Sequence, residues 1–248
     1  MAVITILGTA NAVPDKNHES THLWVDAGDR KILIDCAGNP IVRLEQAGIE
    51  PRSVTDVILT HFHPDHVTGL PLLLMDLWLL GRKDPVHIYG LQDVIDRFFD
   101  MMNLFEWGSW EGFYPVVFHR LPGNEQMILM DMETIKIGAS LLCHSIPSIG
   151  IRMQFPTSTV CYSSDTAPCE ALVRLAEGVT ILIHEATGEG AGHSSPEQAG
   201  ELAQRVGTEK LVLVHYPPGE DLDEWVRRAK SVFNGEVIAA KDFMTFSI

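Results

Sequence analysis

Three histidines and an aspartate fall within six residues, His61-Phe62-His63-Pro64-Asp65-His66, and no other stretch of the chain narrows its fold so far. The preceding run, Thr55-Asp56-Val57-Ile58-Leu59-Thr60, has the β-branched apolar character of a short buried strand. After the cluster, Gly69 to Met75 enters an apolar helix that continues to Leu80. The cluster therefore stands where a strand ends and a helix begins, the position from which open α/β sheets present ligand groups. Imidazole nitrogen and carboxylate oxygen both coordinate zinc. Side chains alternate along an extended segment, so His61 and His63 point the same way. Asp65 and His66 follow where the chain turns and face a different point. One segment can thus serve two metal ions.

Three later residues share this placement. Leu141-Leu142-Cys143 leads into His144, Cys161-Tyr162-Ser163-Ser164 into Asp165, and Val212-Leu213-Val214 into His215. A lone histidine after a strand is ordinarily structural. Beside the six-residue cluster, these residues read as ligands whose strand ends converge on one edge of the fold. Seven ligands shared by two zinc ions leave a place for a bridging water or hydroxide.

The rest of the chain reads as alternating strands and helices. Val3 to Leu7 is a strand that stops at Gly8, and a loop follows to Ser20. The polar tip of that loop, Lys16 to Ser20, either borders a site or is simply solvated. Thr21–Val25 and Lys31–Asp35 pair around the turn residues Gly28-Asp29. A helix is expected from Pro40 to Ala47, a strand over Val86–Tyr89 and a helix from Leu91 to Met102. Trp107, Trp110, Phe113 and Tyr114 form a lid, a substrate wall or packed surface. Several strands fill Val116 to Gln154. The second half then repeats the alternation: strand Val160–Tyr162, helix Cys169–Glu177, strand Thr180–His184, a helix from Ser195, strand Leu211–Val214, helix Leu222–Phe233 and short strands to Ile248. The expected class is α/β, two mixed sheets packed face to face with helices outside. With no linker, repeat or low-complexity segment, residues 1–248 read as one domain.

Composition restricts the partners. The 33 acidic and 18 basic residues give a net charge of −15, a field that repels polyanions. Met1 to Leu7 lacks the basic start of a signal peptide. The longest apolar stretch, Leu70 to Leu80, is broken by Asp76 and too short to span a bilayer. Cys36, Cys143, Cys161 and Cys169 have no close paired spacing, which suits a reducing cytoplasm and argues against a Cys-rich zinc ribbon. The helix from Leu70 to Leu80 is apolar nearly all round, where a surface helix needs one stripe. Its second face must meet another helix of the chain or another subunit.

His61-Phe62-His63-Pro64-Asp65-His66 resembles the H-x-H-x-D-H motif of the metallo-β-lactamase superfamily, and Ser163-Ser164-Asp165-Thr166 resembles its bridging-aspartate motif. His184-Glu185-Ala186-Thr187, Gly192-His193-Ser194-Ser195, Val214-His215-Tyr216 and the loop Leu7 to Pro14 resemble the ribonuclease Z branch. The resemblance spans nearly the whole chain. It implies an αββα sandwich that places His61, His63 and His144 on one zinc and Asp65, His66 and His215 on the other, with Asp165 bridging. It implies that Asp65 also orients or deprotonates the bridging nucleophile. Manganese or iron suits the same ligands. His193 then contacts the scissile phosphate and assists the leaving group, with Glu185 orienting it. A carboxylate partner fixes its tautomer and raises its pKa, as a general acid requires. Ser195, Pro196 and Gln198 have the chemistry of a helix start, so Ser195 has no catalytic part. His184 is structural or supports the site from behind. The resemblance also implies a homodimer through the apolar helix.

The chain departs from the branch in one respect. Its transfer-RNA-binding members carry a Gly- and Pro-rich basic arm, commonly between the third histidine and the bridging aspartate. Here the interval from His144 to Asp165 holds just two strands and a turn. The expected activity is a dizinc, ribonuclease Z-like phosphodiesterase acting on a small molecule or on RNA, with transfer RNA processed if a partner supplies the grip. Two other readings stay open: a sulfatase, lactonase or thioesterase with the same dimetal site, and a metal-stabilised binding protein.

Overall fold

The computed structural model describes residues 2–190 and 192–248. The first half of the chain contributes β1 (Val3–Gly8), β2 (His22–Asp26), β3 (Lys31–Ile34), α1 (Pro40–Gln46), β4 (Asp56–Ile58), α2 (Pro64–Val67), α3 (Leu70–Leu79), β5 (Val86–Leu91), α4 (Gln92–Leu104) and β6 (Val116–Leu121). The second half contributes β7 (Met127–Asp131), β8 (Lys136–Leu142), β9 (Ser148–Gln154), β10 (Thr159–Tyr162), α5 (Glu170–Ala176), β11 (Ile181–Glu185), α6 (Pro196–Val206), β12 (Lys210–Val214), α7 (Leu222–Lys230), β13 (Glu236–Ala239) and β14 (Thr245–Ser247).

The strands form two seven-stranded sheets, ordered β14-β1-β2-β3-β4-β5-β6 and β13-β12-β11-β10-β9-β8-β7. Each half opens with antiparallel hairpins and continues with parallel strands joined mainly through helices. Parallel strands covered on both faces need continuous apolar runs, and Leu211 to Val214 is one. Ile4, Ile6, Val25 and Ile58 of the first sheet share one buried cluster with Ile137, Ile151, Tyr162 and Val212 of the second. A smaller cluster, including Leu172, Leu202, Leu213 and Trp225, lies beneath α5, α6 and α7. This is the two-sheet α/β sandwich with outer helices that the sequence leads one to expect. No helix among the described residues is long and apolar enough to cross a membrane.

Element ends differ from the expected ones for local reasons. The strand before the histidine cluster stops at Ile58 because the Thr60 N–H leaves the ladder for Asp35 Oδ1, at 2.8 Å. Leu91 belongs to β5, and the helix after it runs on to Leu104. The last helix ends at Lys230, where the Ser231 N–H caps Arg227 and Arg228 carbonyls. The aromatic stretch is packed surface rather than a lid over this chain's own cleft. Trp110 stacks on Trp78 with ring centroids 5.3 Å apart, Trp107 and Phe113 meet edge to face, and the Tyr114 hydroxyl donates to Leu74 O. The apolar α3 buries Leu70, Leu73, Leu74 and Leu77 and leaves Leu72 and Leu79 exposed.

His22 starts β2 fully buried, its Nδ1–H donating to Ser20 O at 2.8 Å while Nε2 has no partner. Burial holds its pKa down at about 4, against the upward pull of the Ser20 carbonyl. The unfolded chain, titrating near 6.5, binds the proton first. The neutral ring's contribution to stability is therefore complete above pH 6.5 and is lost as pH falls toward 4. At equal zinc concentration, urea unfolding of the unchanged protein and of His22→Asn should show the gap between them shrinking by up to about 3 kcal/mol across that window. A gap constant with pH would mean His22 is already protonated in the fold.

Candidate metal centre

Four strand ends deliver the expected ligands to one edge of the sandwich. His61 and His63 follow β4, and Pro64 opens α2, which turns Asp65 and His66 away from them. His144 lies past β8, Asp165 past β10 and His215 past β12. Ser164 and His215 have positive φ values of 51° and 53°, so the backbone bends sharply where each strand gives way to the site. Two groups of donor atoms result, one from His61, His63, His144 and Asp165, the other from Asp65, His66 and His215.

His61 Nε2 and His144 Nε2 lie 3.0 and 3.1 Å from His63 Nδ1. The far side of each ring fixes its tautomer. His61 Nδ1–H donates to the Thr60 hydroxyl, which itself donates to Asp35. His144 Nδ1–H donates to Gly192 O at 2.7 Å. Both Nε2 atoms therefore bring lone pairs to one point. In the second group, His66 Nε2 and His215 Nε2 lie 3.4 and 3.6 Å from Asp65 Oδ2. Here His66 Nδ1–H donates to Asp35 Oδ2, and His215 Nδ1–H to the Thr187 hydroxyl, each at 2.8 Å. Asp165 stands between the groups: Oδ2 is 3.7 Å from His61 Nε2 and 3.6 Å from His66 Nε2, and Oδ1 is 3.4 Å from His215 Nε2.

The donor set fits divalent cations on its own chemistry. His66 Nε2, His215 Nε2 and Asp165 Oδ1 are buried without a hydrogen-bond partner, a costly state unless a cation satisfies them. Burial and the neighbouring His66 push His61 well below the usual histidine range, which keeps it neutral as a ligand must be. Burial alone would raise Asp65, but the rings of His215 and His66 more than reverse this and hold it low. Asp165 behaves likewise, held down by His215 and His66 against burial.

His193 sits over the ligands, its ring centroid 4.9 Å from that of His144 and 5.8 Å from that of His215. Its Nδ1–H donates to Glu185 Oε1 at 3.0 Å, a contact that raises its pKa against the opposing effect of burial. Glu185 is fully buried at the end of β11 and also accepts the N–H groups of Thr166, Thr187 and Ser194. Next to His193, Gly192 has φ +86°, and a Cβ there would lie 2.8 Å from His144 Nδ1. A glycine is therefore required where this backbone meets the His144 ring. Ser195 caps α6 reciprocally with Gln198, as its sequence indicates. His184 points elsewhere: it is buried, and its Nδ1–H donates to Glu185 O at 2.7 Å.

A cleft of about 300 Å³ opens onto the cluster, lined by His63, Asp65, His193 and His215, with Asn11, Ala12, Pro64, Asp165 and Thr187 completing it. The polar tip Lys16 to Ser20 is not among the lining residues; the loop's earlier part, Asn11 and Ala12, takes that place. Sequence reading overlooked Asp35, taken only as the end of a strand. An acidic residue closing the buried run Ile32-Leu33-Ile34 was the available signal. Asp35 is fully buried and orients ligands of both groups through His66 and Thr60. Removing an orienting partner ordinarily costs 10–100-fold in metal affinity. Asp35→Ala should weaken zinc retention by on the order of 10-fold or more, read by competition with a chromogenic chelator; retention equal to the unchanged protein would deny Asp35 this role.

Comparisons with known proteins agree on the kinship. The family model described as "Anti-Pycsar protein Apyc1" matches residues 2–234. Ribonuclease Z of Methanothermobacter thermautotrophicus is 26% identical over 304 aligned positions, covering 100% of this chain and 97% of that protein. Ribonuclease Z of Mycobacterium sp. (strain KMS) is 29% identical, covering 98% of this chain and 94% of its own. Human tRNase Z, short form, superposes with a TM-score of 0.81 at 27% identity, over 99% of this chain and 99% of that one. The metallo-β-lactamase fold protein YhfI of Bacillus subtilis superposes with a TM-score of 0.85 at 22% identity, over 99% and 98% of the two chains, a likeness of fold.

Proposed function

The chain belongs to the Apyc1 family, within the ribonuclease Z-like branch of the metallo-β-lactamase fold, and on that premise we propose that it is a dizinc phosphodiesterase acting on a small phosphodiester. The observation that carries this reading is the His193–Glu185 pair standing over two adjoining ligand groups. In the proposed assignment His61, His63 and His144 would hold one zinc and Asp65, His66 and His215 the other, with Asp165 shared between them. When bound, two such ions polarise a phosphoryl oxygen and supply hydroxide near neutral pH. Asp65, held low in pKa against burial by the rings of His215 and His66, would orient the attacking water. His193 donates its Nε2 proton to the departing oxygen, while Glu185 keeps the other ring nitrogen protonated and the ring in place.

Three features favour a small substrate over transfer RNA. The interval from His144 to Asp165 is filled by β9, β10 and their turn, with no arm. The alignment to the Methanothermobacter enzyme runs over 304 positions against the 248 residues here, so that relative carries segments with no counterpart in this chain. The net charge of −15 opposes a long polyanion. The deciding experiment offers zinc-loaded protein bis(p-nitrophenyl) phosphate, 2′,3′-cyclic nucleotides, an aryl sulfate, a lactone and precursor transfer RNA. Cleavage of the small phosphodiesters is expected; turnover confined to the sulfate or the lactone would transfer the site to another ester class, and turnover confined to the RNA would restore the longer substrate.

His193→Ala should keep its zinc and lose turnover by on the order of 10²-fold. The loss should be larger for a poor alkoxide leaving group than for p-nitrophenolate, which hardly needs a proton. Equal losses would remove His193 from the acid's role.

The chain, folded as one domain, is further proposed to pair with a second copy. Leu72, Leu79, Leu80, Phe99, Leu104 and Phe105 are exposed on or beside α3 and α4, and bare apolar side chains there invite association. A two-fold interface would cover them on both subunits at once. Light scattering at micromolar concentration should give twice the mass of one chain; one chain's mass, unchanged on concentration, would refute the pairing.

A further inference from the structure

One wall of the cleft consists of Asn11 and Ala12, and the loop that carries them has almost no regular structure. Its position depends on tertiary contacts. The feet of the loop are pinched together: Ala10 N–H donates to Glu19 O at 2.8 Å and Thr21 N–H to Ala10 O at 3.0 Å. A Cβ on Gly8 would stand 2.1 Å from Ser20 O, so only glycine allows that approach. The inner side of the loop is stitched to the residue after His215, with Tyr216 N–H donating to Thr9 O at 3.2 Å and Asn11 N–H to Tyr216 O at 3.1 Å.

These contacts lead to one carboxylate. Asp242, in the turn between β13 and β14, accepts the Thr9 hydroxyl on Oδ1 at 2.6 Å and the Glu19 N–H on Oδ2 at 2.9 Å. The same Oδ2 pairs with the Arg43 guanidinium at 2.5 Å, and Arg43 also donates to Leu7 O and lies over the Phe243 ring. The Asp242 side chain is 6% exposed. A single buried acid thus holds both feet of the loop and, through Arg43, the strand that enters it.

We propose that Asp242 is a positioning residue for substrate: it fixes the Asn11–Ala12 wall beside which the phosphate of the phosphodiester is held. The proposal rests on the phosphodiesterase reading above. Asp242 contributes no atom to the cleft lining, so its effect runs through the loop. A wall already ordered spares the substrate the cost of ordering it on binding. Its loss should then appear in KM, with kcat nearly kept.

The test compares Asp242→Asn, which keeps one accepting oxygen, with Asp242→Ala and with Thr9→Val, which leaves the Arg43 pair intact. Three quantities are read: KM and kcat on bis(p-nitrophenyl) phosphate, the dissociation constant of inorganic phosphate, and amide hydrogen exchange at Ala10 and Asn11. Asp242→Ala should raise KM and the phosphate constant by on the order of tenfold, the equivalent of one charge-assisted hydrogen bond. Asp242→Asn should fall between it and the unchanged protein. Exchange at Ala10 and Asn11 should quicken in the same order, with zinc content unaltered. A fall in kcat at constant KM, or a lower melting temperature with KM, phosphate binding and exchange all unmoved, would reduce Asp242 to a structural part. If the unchanged protein cleaves no phosphodiester, the phosphodiesterase reading fails, and phosphate binding with exchange still decides the role of Asp242.

Discussion

Nitrogen and oxygen donor atoms from four strand ends converge on two adjoining points in this protein. His61 Nε2, His144 Nε2 and His63 Nδ1 face one another because the other nitrogens of His61 and His144 are committed to Thr60 and Gly192. His66 Nε2, His215 Nε2 and Asp165 Oδ1 are buried with no partner. Leaving such atoms unsatisfied is costly, and a divalent cation removes that cost by accepting several lone pairs at once. The sandwich supplies the geometry that this demands. The strands deliver their ends to one edge, and the helices that follow lead the chain away.

Three buried carboxylates organise the surroundings of that edge, each in a different way. Asp35 reaches His66 directly and His61 through Thr60, so one residue sets ring orientation in both ligand groups. Glu185 gathers three backbone N–H groups and His193, tying the segments after β10 and β11 to the ring above the ligands. Asp242 joins the feet of the N-terminal loop to Arg43. Buried carboxylates survive only when their oxygens are fully engaged. Such engagement orders the partners, and order is what a reacting site requires.

Electrostatics and shape divide the remaining work. The net charge of −15 opposes polyanions at a distance, while the ligand groups would place the strongest local positive field at the cleft once cations are bound. A cleft of about 300 Å³ opens at that edge, and β9, β10 and their turn fill the interval from His144 to Asp165. The loop from Gly8 to Ser20 therefore has more influence over what enters than its short, irregular course suggests. On the opposite side of the specificity question, the aromatic stretch after α4 is engaged in packing with Trp78 and Phe118 and lines no part of the cleft.

The amino-acid sequence by itself determined the strand-to-helix placement of the histidine cluster. The apolar run to Ile58, the histidine cluster and Pro64 encode it within a dozen residues, and local periodicity reads at that range. The same holds for His144, Asp165 and His215 at the ends of their strands, and for the Ser195–Gln198 cap that separates a structural serine from His193. Tertiary structure decided what depends on contacts between distant segments. Asp35 meets His66 across 31 positions, and Asp242 meets Thr9 across 233. His184 and Glu185 are neighbours in sequence, yet alternation along β11 sends the Glu185 carboxylate to His193 and leaves His184 bonded to backbone. No local pattern marks such residues, because a hydrogen bond depends on where two side chains end up in space, and sheet pairing sets that only after the chain has folded.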